Sequence, residues 1–186
     1  MPSKSHSVAL PFLAPPIPRN SNRPIKVFIS YSVQDTNLVR TVAEHIKGKA
    51  NVRYWAESKE PGKEVWPTIF SWIDAADLVL VLITDKTIAR AFSVGTEVGH
   101  AKKGNKQIIP LVTKDVPTSE LGFLSGITYI PLDTSNPGAA LKAVQVELEK
   151  LKQAAKRRQE LEDQKQKQGI FVLACLAVIL FLFSKE

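Results

Sequence analysis

The stretch Leu78-Val79-Leu80-Val81-Leu82-Ile83 is apolar at every position. A strand tolerates this pattern only when both of its faces are covered, as in a parallel sheet between two helical layers. Apolar runs on either side of it indicate four more strands, at 27–29, 52–55, 108–112 and 127–130. Amphipathic segments separate these runs, so strand and helix alternate, and the sequence predicts a doubly wound α/β fold with a five-stranded parallel sheet.

Two helices of this fold have clear sequence signals. Apolar residues recur at helical spacing between the first two strands, and Asp35 or Asn37 is expected to cap the helix that they form. The last helix is expected to begin near Pro137. Its apolar stripe consists of Leu141, Val144, Leu148, Leu151 and Ala155.

The segments that flank the fold differ from it in composition. Residues 1–24 hold half of the twelve prolines, contain no acid and show no apolar periodicity, which predicts a disordered leader and argues against a secretory signal. A folded domain is expected at 25–155. Residues 156–168 are almost all charged or Gln, which predicts a solvated helical stalk.

The stalk leads into an apolar run, residues 169–183, that carries no charge. We expect a single-pass C-terminal membrane anchor at 169–184. The excess of Lys and Arg before this run would keep the domain on the cytoplasmic side. The alternative is an apolar helix that oligomerises or docks on a partner.

Composition excludes several classes of protein. A chain of 186 residues suits one domain with appendages, and its single cysteine, Cys175, excludes an internal disulfide and a zinc site built from cysteines. The net charge is +7, and the excess lies at the two ends of the chain. We therefore expect no nucleic-acid partner.

Polar residues follow the predicted strands, where a doubly wound sheet binds its ligands. Ser30, Tyr31 and Ser32 follow the first strand. The two hydroxyls of the serines suit a ligand's sugar or phosphate, although such hydroxyls also satisfy local backbone groups. The polar loop 58–64, with a turn at Pro61-Gly62, is either a mobile lid or a solvated connection.

Between about residues 26 and 131, the chain carries short motifs in an order that resembles that of a Toll/interleukin-1 receptor (TIR) domain of the bacterial type. The matching residues are Val27 to Ser32, Asp35, Pro61-Gly62, Trp66, Ala75-Ala76-Asp77, Ser93, Glu97, Gly99, Ala101, Lys106 and Ile108-Ile109-Pro110. The resemblance implies a flavodoxin-like sheet and a BB loop at 58–66. It also implies, as in many members, cleavage of NAD⁺ between ribose and nicotinamide.

The resemblance makes Glu97 the expected catalytic residue. Nicotinamide leaves NAD⁺ as a neutral molecule, so a single carboxylate suffices to stabilise the oxocarbenium ion that develops on the ribose. NAD⁺ is then a substrate, and we expect neither a cofactor nor a metal ion. The expected substrate-binding residues are Ser30, Tyr31, Ser32, Gly62, Trp66 and Ser93. Gly95 and Gly99 flank Glu97 and suggest close approach of a ligand or of neighbouring backbone.

One departure from the family pattern keeps other functions open. Many members carry an aromatic residue where this chain has Ser93, so Tyr31, Trp66 or Phe92 would have to stack on the ligand, unless these residues belong to the core.

We expect a membrane-anchored NAD⁺ nucleosidase that self-association activates, in bacterial immune or cell-death signalling. The alternatives are a non-catalytic TIR scaffold or adaptor at the membrane and an enzyme like the nucleoside deoxyribosyltransferases.

Overall fold

A computed structural model describes residues 23–58, 64–89 and 91–183 of the chain. Within these ranges, the side chains of residues 57, 58, 169 and 171–183 are not described. The predicted leader therefore lies outside the described residues, apart from residues 23 and 24. The same holds for Gly62 and for the middle of the predicted BB loop.

The fold is built on one parallel sheet, and the prediction of five parallel strands is confirmed. The strands are β1 (Ile25–Ser30), β2 (Ala50–Arg53), β3 (Leu78–Ile83), β4 (Gln107–Thr113) and β5 (Ile130–Leu132). Their order across the sheet is β2-β1-β3-β4-β5, which is the flavodoxin-like order. The chain changes direction across the sheet between β1 and β3, and ligands of such sheets bind beyond the carboxyl ends of these strands.

Helices cover both faces of the sheet. They are α1 (Thr36–Ile46), α2 (Trp55–Ser58), α3 (Val65–Ala75), α4 (Asp85–Ile88), α5 (Ala91–Lys103) and α6 (Gly138–Phe183). The apolar residues of α1 and α6 pack on one face, and those of α3 and α5 pack on the other. Short 3₁₀ helices occupy Val33–Asp35 and Thr118–Leu124.

β3 is the centre of both cores. Leu78, Leu80 and Leu82 belong to the core under α1 and α6, whereas Val79, Val81 and Ile83 belong to the core under α3 and α5. None of the six is more than 1% exposed. Full burial of such a side chain contributes about 1.5–3 kcal/mol, which explains why this run decides the architecture.

Two strands differ from their predicted bounds. The second ends at Arg53, because Tyr54 packs edge-on against Tyr31 and Trp55 begins α2. The fifth begins at Ile130 instead of residue 127. A turn that includes Gly126, with φ of +81°, precedes it, and the chain pairs with β4 only from Ile130.

The last helix begins where the sequence predicted, and its predicted stripe is buried down to Ala155. Beyond that residue the helix continues without a break, but Leu161 is 58% exposed. Ion pairs one turn apart, such as Arg158 with Glu162 at 3.0 Å, run along this exposed part. Packing on the sheet therefore ends near residue 155.

The predicted membrane anchor at 169–184 requires correction. Within the described residues, no helix combines the length and the apolar character that crossing a bilayer requires. The physical reason is length, because fifteen uncharged residues span roughly 22 Å as a helix and the apolar layer of a bilayer measures about 30 Å. The predicted single-pass topology, with the domain held on the cytoplasmic side of a membrane, is wrong for the same reason.

Candidate functional site

Helix α5 turns Glu97 toward the sheet. Val94 and Ala101 lie three and four residues from Glu97, hence on the same side of the helix, and both are buried with the adjacent Val98 in the core under α3 and α5. Glu97 extends this buried face with a carboxyl group, and only 7% of the residue is exposed. A solvated helix acid would lie on the opposite face.

The carboxyl end of β1 brings two serines to the same side of the sheet. Side chains alternate along a strand, so Ser30 faces the same way as Phe28, which packs in the core with Val94 and Val98. Ser30 is 0% exposed and Ser32 is 4% exposed. The predicted serines therefore lie at the edge of the sheet that α5 covers.

Three buried oxygen atoms at this edge have no hydrogen-bond partner among the described residues. They are Oγ of Ser30, Oγ of Ser32 and Oε2 of Glu97. Buried polar groups are almost always paired, because an unpaired one costs about 1–3 kcal/mol. An unpaired buried group calls for a specific explanation, such as a catalytic role or a bound water or ion.

Burial also changes the acidity of Glu97. Loss of hydration raises the pKa of its carboxyl group to about 7, and the neighbouring Ser30 hydroxyl offsets part of this rise. Among the described residues, no ion pair includes Glu97. The carboxylate is thus free to stabilise a positive charge that a ligand brings or develops.

A buried hydrogen bond joins the loops after β1 and β3. The Thr84 hydroxyl donates to Oδ2 of Asp35 at 2.7 Å, and Nζ of Lys86 lies 3.5 Å from Oδ1. Asp35 is the N-cap residue of α1, one of the two predicted positions, but its side chain makes no capping hydrogen bond. Thr84 instead caps α4.

The pairing of Asp35 with Thr84 was not predicted from the sequence, although a signal was present. The flavodoxin-like order makes β1 and β3 neighbours, so polar residues just after these two strands meet at one edge. Next to the pair lies an open cleft of about 350 Å³ with a mostly polar lining, and Glu97 does not line it. The cleft is lined by Gln34, Asp35, Asn37, Leu38, Thr84, Asp85, Lys86, Thr113, Asp115 and Thr134.

The other predicted site residues are more scattered. Tyr31 is 8% exposed, lies in the core on the opposite face of the sheet, and its hydroxyl accepts a hydrogen bond from the Ala56 N–H at 3.0 Å. Ser93 is exposed on α5, one turn before Glu97, and Phe92 beside it is 82% exposed. Gly62 lies outside the described residues.

Trp66 belongs to a row of rings between α3 and α5. Its ring centroid lies 5.7 Å from that of Phe70, and Phe70 stacks on His100 at 4.2 Å with the ring planes 7° apart. Nε2 of His100 lies 2.8 Å from Oδ1 of Asp74. His100 therefore fastens the helix that carries Glu97 to α3.

The glycines beside Glu97 are not required by contacts within the chain. A Cβ atom added at Gly95 or Gly99 would meet no atom within 4 Å. The expected approach of neighbouring backbone is thus not seen at either glycine. In the described part of the chain, no three side chains of His, Cys, Asp or Glu are grouped so that they could hold a metal ion.

Comparisons with known proteins identify a family. The family model described as "TIR domain" matches residues 27–146. One similar structure is the Clostridium botulinum CMP N-glycosidase BcmB, with 15% identity over 65% of this chain and 98% of that chain, and a TM-score of 0.47. Another is the TIR domains of the activated Roq1 resistosome, which recognises the pathogen effector XopQ, with 14% identity over 73% and 84% of the two chains and a TM-score of 0.46. No curated protein matches the sequence.

Proposed function

We propose that this chain, which belongs to the TIR domain family, is an NAD⁺ nucleosidase with Glu97 as its catalytic residue. The observation that carries the proposal is the buried carboxyl group of Glu97, whose Oε2 has no hydrogen-bond partner among the described residues. It lies beside Ser30 at the edge of the sheet where doubly wound folds bind ligands.

The reaction needs only the groups that this site offers. The bond between C1′ of the ribose and the pyridinium nitrogen breaks, and its electron pair leaves with neutral nicotinamide. Positive charge then develops on the ribose, and the Glu97 carboxylate stabilises it. Oxygen of water bonds to C1′ and its proton passes to solvent, which yields ADP-ribose. A hydroxyl of the substrate itself, attacking in place of water, gives a cyclic product.

The environment of Glu97 suits a cationic substrate. The pKa of about 7 reflects burial without a compensating cation. A bound pyridinium ring or a developing oxocarbenium ion supplies that positive charge and favours the ionised carboxylate. In this proposal Ser32, Trp66 and Ser93 help to bind the substrate, together with Gly62 from the BB loop.

Self-association is part of the proposal. We propose that a second copy of the chain covers the BB loop, 58–66, and closes the crevice over the substrate. Activity per chain then rises with protein concentration and falls on dilution. Such an enzyme suits a signalling role that clustering switches on, as in bacterial immune or cell-death responses.

The test measures nicotinamide released from NAD⁺ by the purified full chain at several protein concentrations. We expect release by the wild type and a decrease of at least about 100-fold in Glu97→Gln, as is typical when an electrostatic stabiliser of a transition state is lost. The matched control is Glu44→Gln, which removes an exposed carboxylate on α1 that pairs with Lys47, the residue after the helix. We expect this control to retain wild-type activity.

The other outcomes are equally informative. No release by the wild type at any concentration, or equal release by Glu97→Gln, overturns the proposal. Cleavage of deoxynucleosides in place of NAD⁺ would identify an enzyme like the nucleoside deoxyribosyltransferases. Concentration-dependent assembly without cleavage of either substrate would identify a scaffold.

A further inference from the structure

Ser30 and Glu97 face each other where β1 packs against α5. The inner face of β1 presents Phe28 and then Ser30, and Phe28 lies in one core with Val94 and Val98. These two valines bracket Glu97 on the inner face of α5. The Ser30 hydroxyl and the Glu97 carboxyl group thus belong to the same packing interface between β1 and α5.

The burial of Ser30 argues against the substrate-binding role that the sequence predicted for it. The residue is 0% exposed, so a ligand reaches its hydroxyl only if the packing opens. Glu97 is 7% exposed and lies closer to the surface. A ligand would therefore meet the carboxyl group first, with Ser30 behind it.

We propose that Ser30 is a positioning residue for Glu97, whose hydroxyl donates a hydrogen bond to the ionised carboxylate and holds it toward the crevice. A hydroxyl donates to a carboxylate and accepts from a protonated carboxyl group, so one contact serves both states of Glu97. Both oxygens otherwise lack a partner among the described residues, so a small side-chain rotation that pairs them removes two unsatisfied groups. The role in orienting the carboxylate is independent of the reaction, and its effect on turnover rests on the proposed function.

Few other groups compete for this role. Burial raises the pKa of Tyr31, and the Glu97 charge adds to the rise, so the phenol lies within electrostatic range. The Tyr31 ring, however, lies in the core on the opposite face of the sheet, where its hydroxyl accepts a hydrogen bond from the Ala56 N–H. The remaining charged or titratable groups on α5 and on the described elements that pack against it are Lys26, Asp74, Asp85, Lys86, His100, Lys102, Lys103 and Glu120. Of these, Lys86 pairs with Asp35, and His100 pairs with Asp74.

The experiment is a pH titration of the Glu97 carboxyl carbon by carbon-13 NMR on the full chain, with the signal assigned by its loss in Glu97→Gln. In Ser30→Ala we expect the midpoint to rise by about one pH unit, because a hydrogen bond to a charged group is lost. Ser30→Thr retains the hydroxyl and should restore the wild-type midpoint. Ser32→Ala, the matched control, removes the neighbouring buried hydroxyl and should leave the midpoint unchanged.

An unchanged midpoint in Ser30→Ala, or an equal shift in Ser32→Ala, overturns the proposal. If the added methyl group of Ser30→Thr prevents folding, Ser30→Cys replaces it, and its weak donor should give a midpoint between those of wild type and Ser30→Ala. Where NAD⁺ is cleaved, the pH at half-maximal kcat/KM should move with the NMR midpoint. If NAD⁺ is not cleaved, the titration still decides the role of Ser30, so the two proposals fail separately.

Discussion

At the scale of single residues, Glu97 makes the fold sensitive to pH. Its pKa is about 7 in the folded chain, against an ordinary value of 4.5, so the unfolded chain loses this proton first as pH rises. The stability that the folded chain has with a protonated Glu97 is fully present below the ordinary pKa of 4.5, and it is lost as pH rises through 7. The full loss corresponds to about 3 kcal/mol of unfolding free energy.

Glu97→Gln should remove this dependence. We expect the variant to gain about 3 kcal/mol of stability relative to wild type between pH 4.5 and pH 8, because the amide carries no charge to bury. Urea denaturation at several pH values measures the difference. Glu44→Gln, at an exposed position, should show no comparable gain, and a parallel pH profile for wild type and Glu97→Gln would contradict the prediction.

The buried hydrogen bond between Thr84 and Asp35 gives a second prediction for single residues. Thr84→Val keeps the shape of the side chain but leaves Asp35 without its donor and α4 without its cap. We expect the free energy of unfolding to fall by about 2 kcal/mol. Thr84→Ser keeps the hydroxyl and should cost less, and a larger loss in Thr84→Ser than in Thr84→Val would contradict the prediction.

At the scale of secondary structure elements, the contact between α3 and α5 sets the position of the helix that carries Glu97. The His100 ring stacks on Phe70 and pairs with Asp74, while Nζ of Lys106 donates to the carbonyl oxygens of Asp74 and Ala76. The side chains of His100 and Asp74 are 26% and 61% exposed, so solvent weakens their pairing. The stacking of the rings is the stronger part of this contact.

His100→Ala should therefore lower the free energy of unfolding by about 1 kcal/mol, mainly through loss of the ring stack. His100→Phe keeps a ring and should recover most of this loss. His45→Ala, at an exposed position on α1, is the control and should have little effect. Denaturation curves of the three variants test the prediction, which fails if His100→Phe is as unstable as His100→Ala.

At the scale of the whole molecule, α6 belongs to the domain only in its first part. Leu148 is 2% exposed and packs on the sheet, whereas Leu161 on the same helix is 58% exposed. Leu148→Ala should cost about 3 kcal/mol of unfolding free energy, and Leu161→Ala should change it by less than about 0.5 kcal/mol. Similar losses in the two variants would place the boundary of the domain beyond residue 155.

The sequence by itself determined the architecture. Six successive apolar residues at 78–83 require cover on both faces, and this local pattern predicted the parallel sheet between helical layers. The stripe from Leu141 to Ala155 predicted where packing on α6 ends, because exposed charges follow it. Such patterns can be recognised in the sequence because each depends only on residues that are close together along the chain. The apolar run at 169–183 shows the limit of such reading, because lack of charge alone does not give the length of a membrane span.

Only the tertiary structure decided the environment of the candidate site. The sequence named Glu97 through a family resemblance, but its burial, its unpaired oxygen and its position opposite Ser30 depend on how α5 packs on β1. The local sequence predicts that Asp35 caps a helix, yet its carboxylate accepts a hydrogen bond from Thr84, which is 49 residues away in the chain. Hydration and pairing are set by contacts between distant segments, so the folded chain alone fixes the pKa of a carboxyl group and the donors around it.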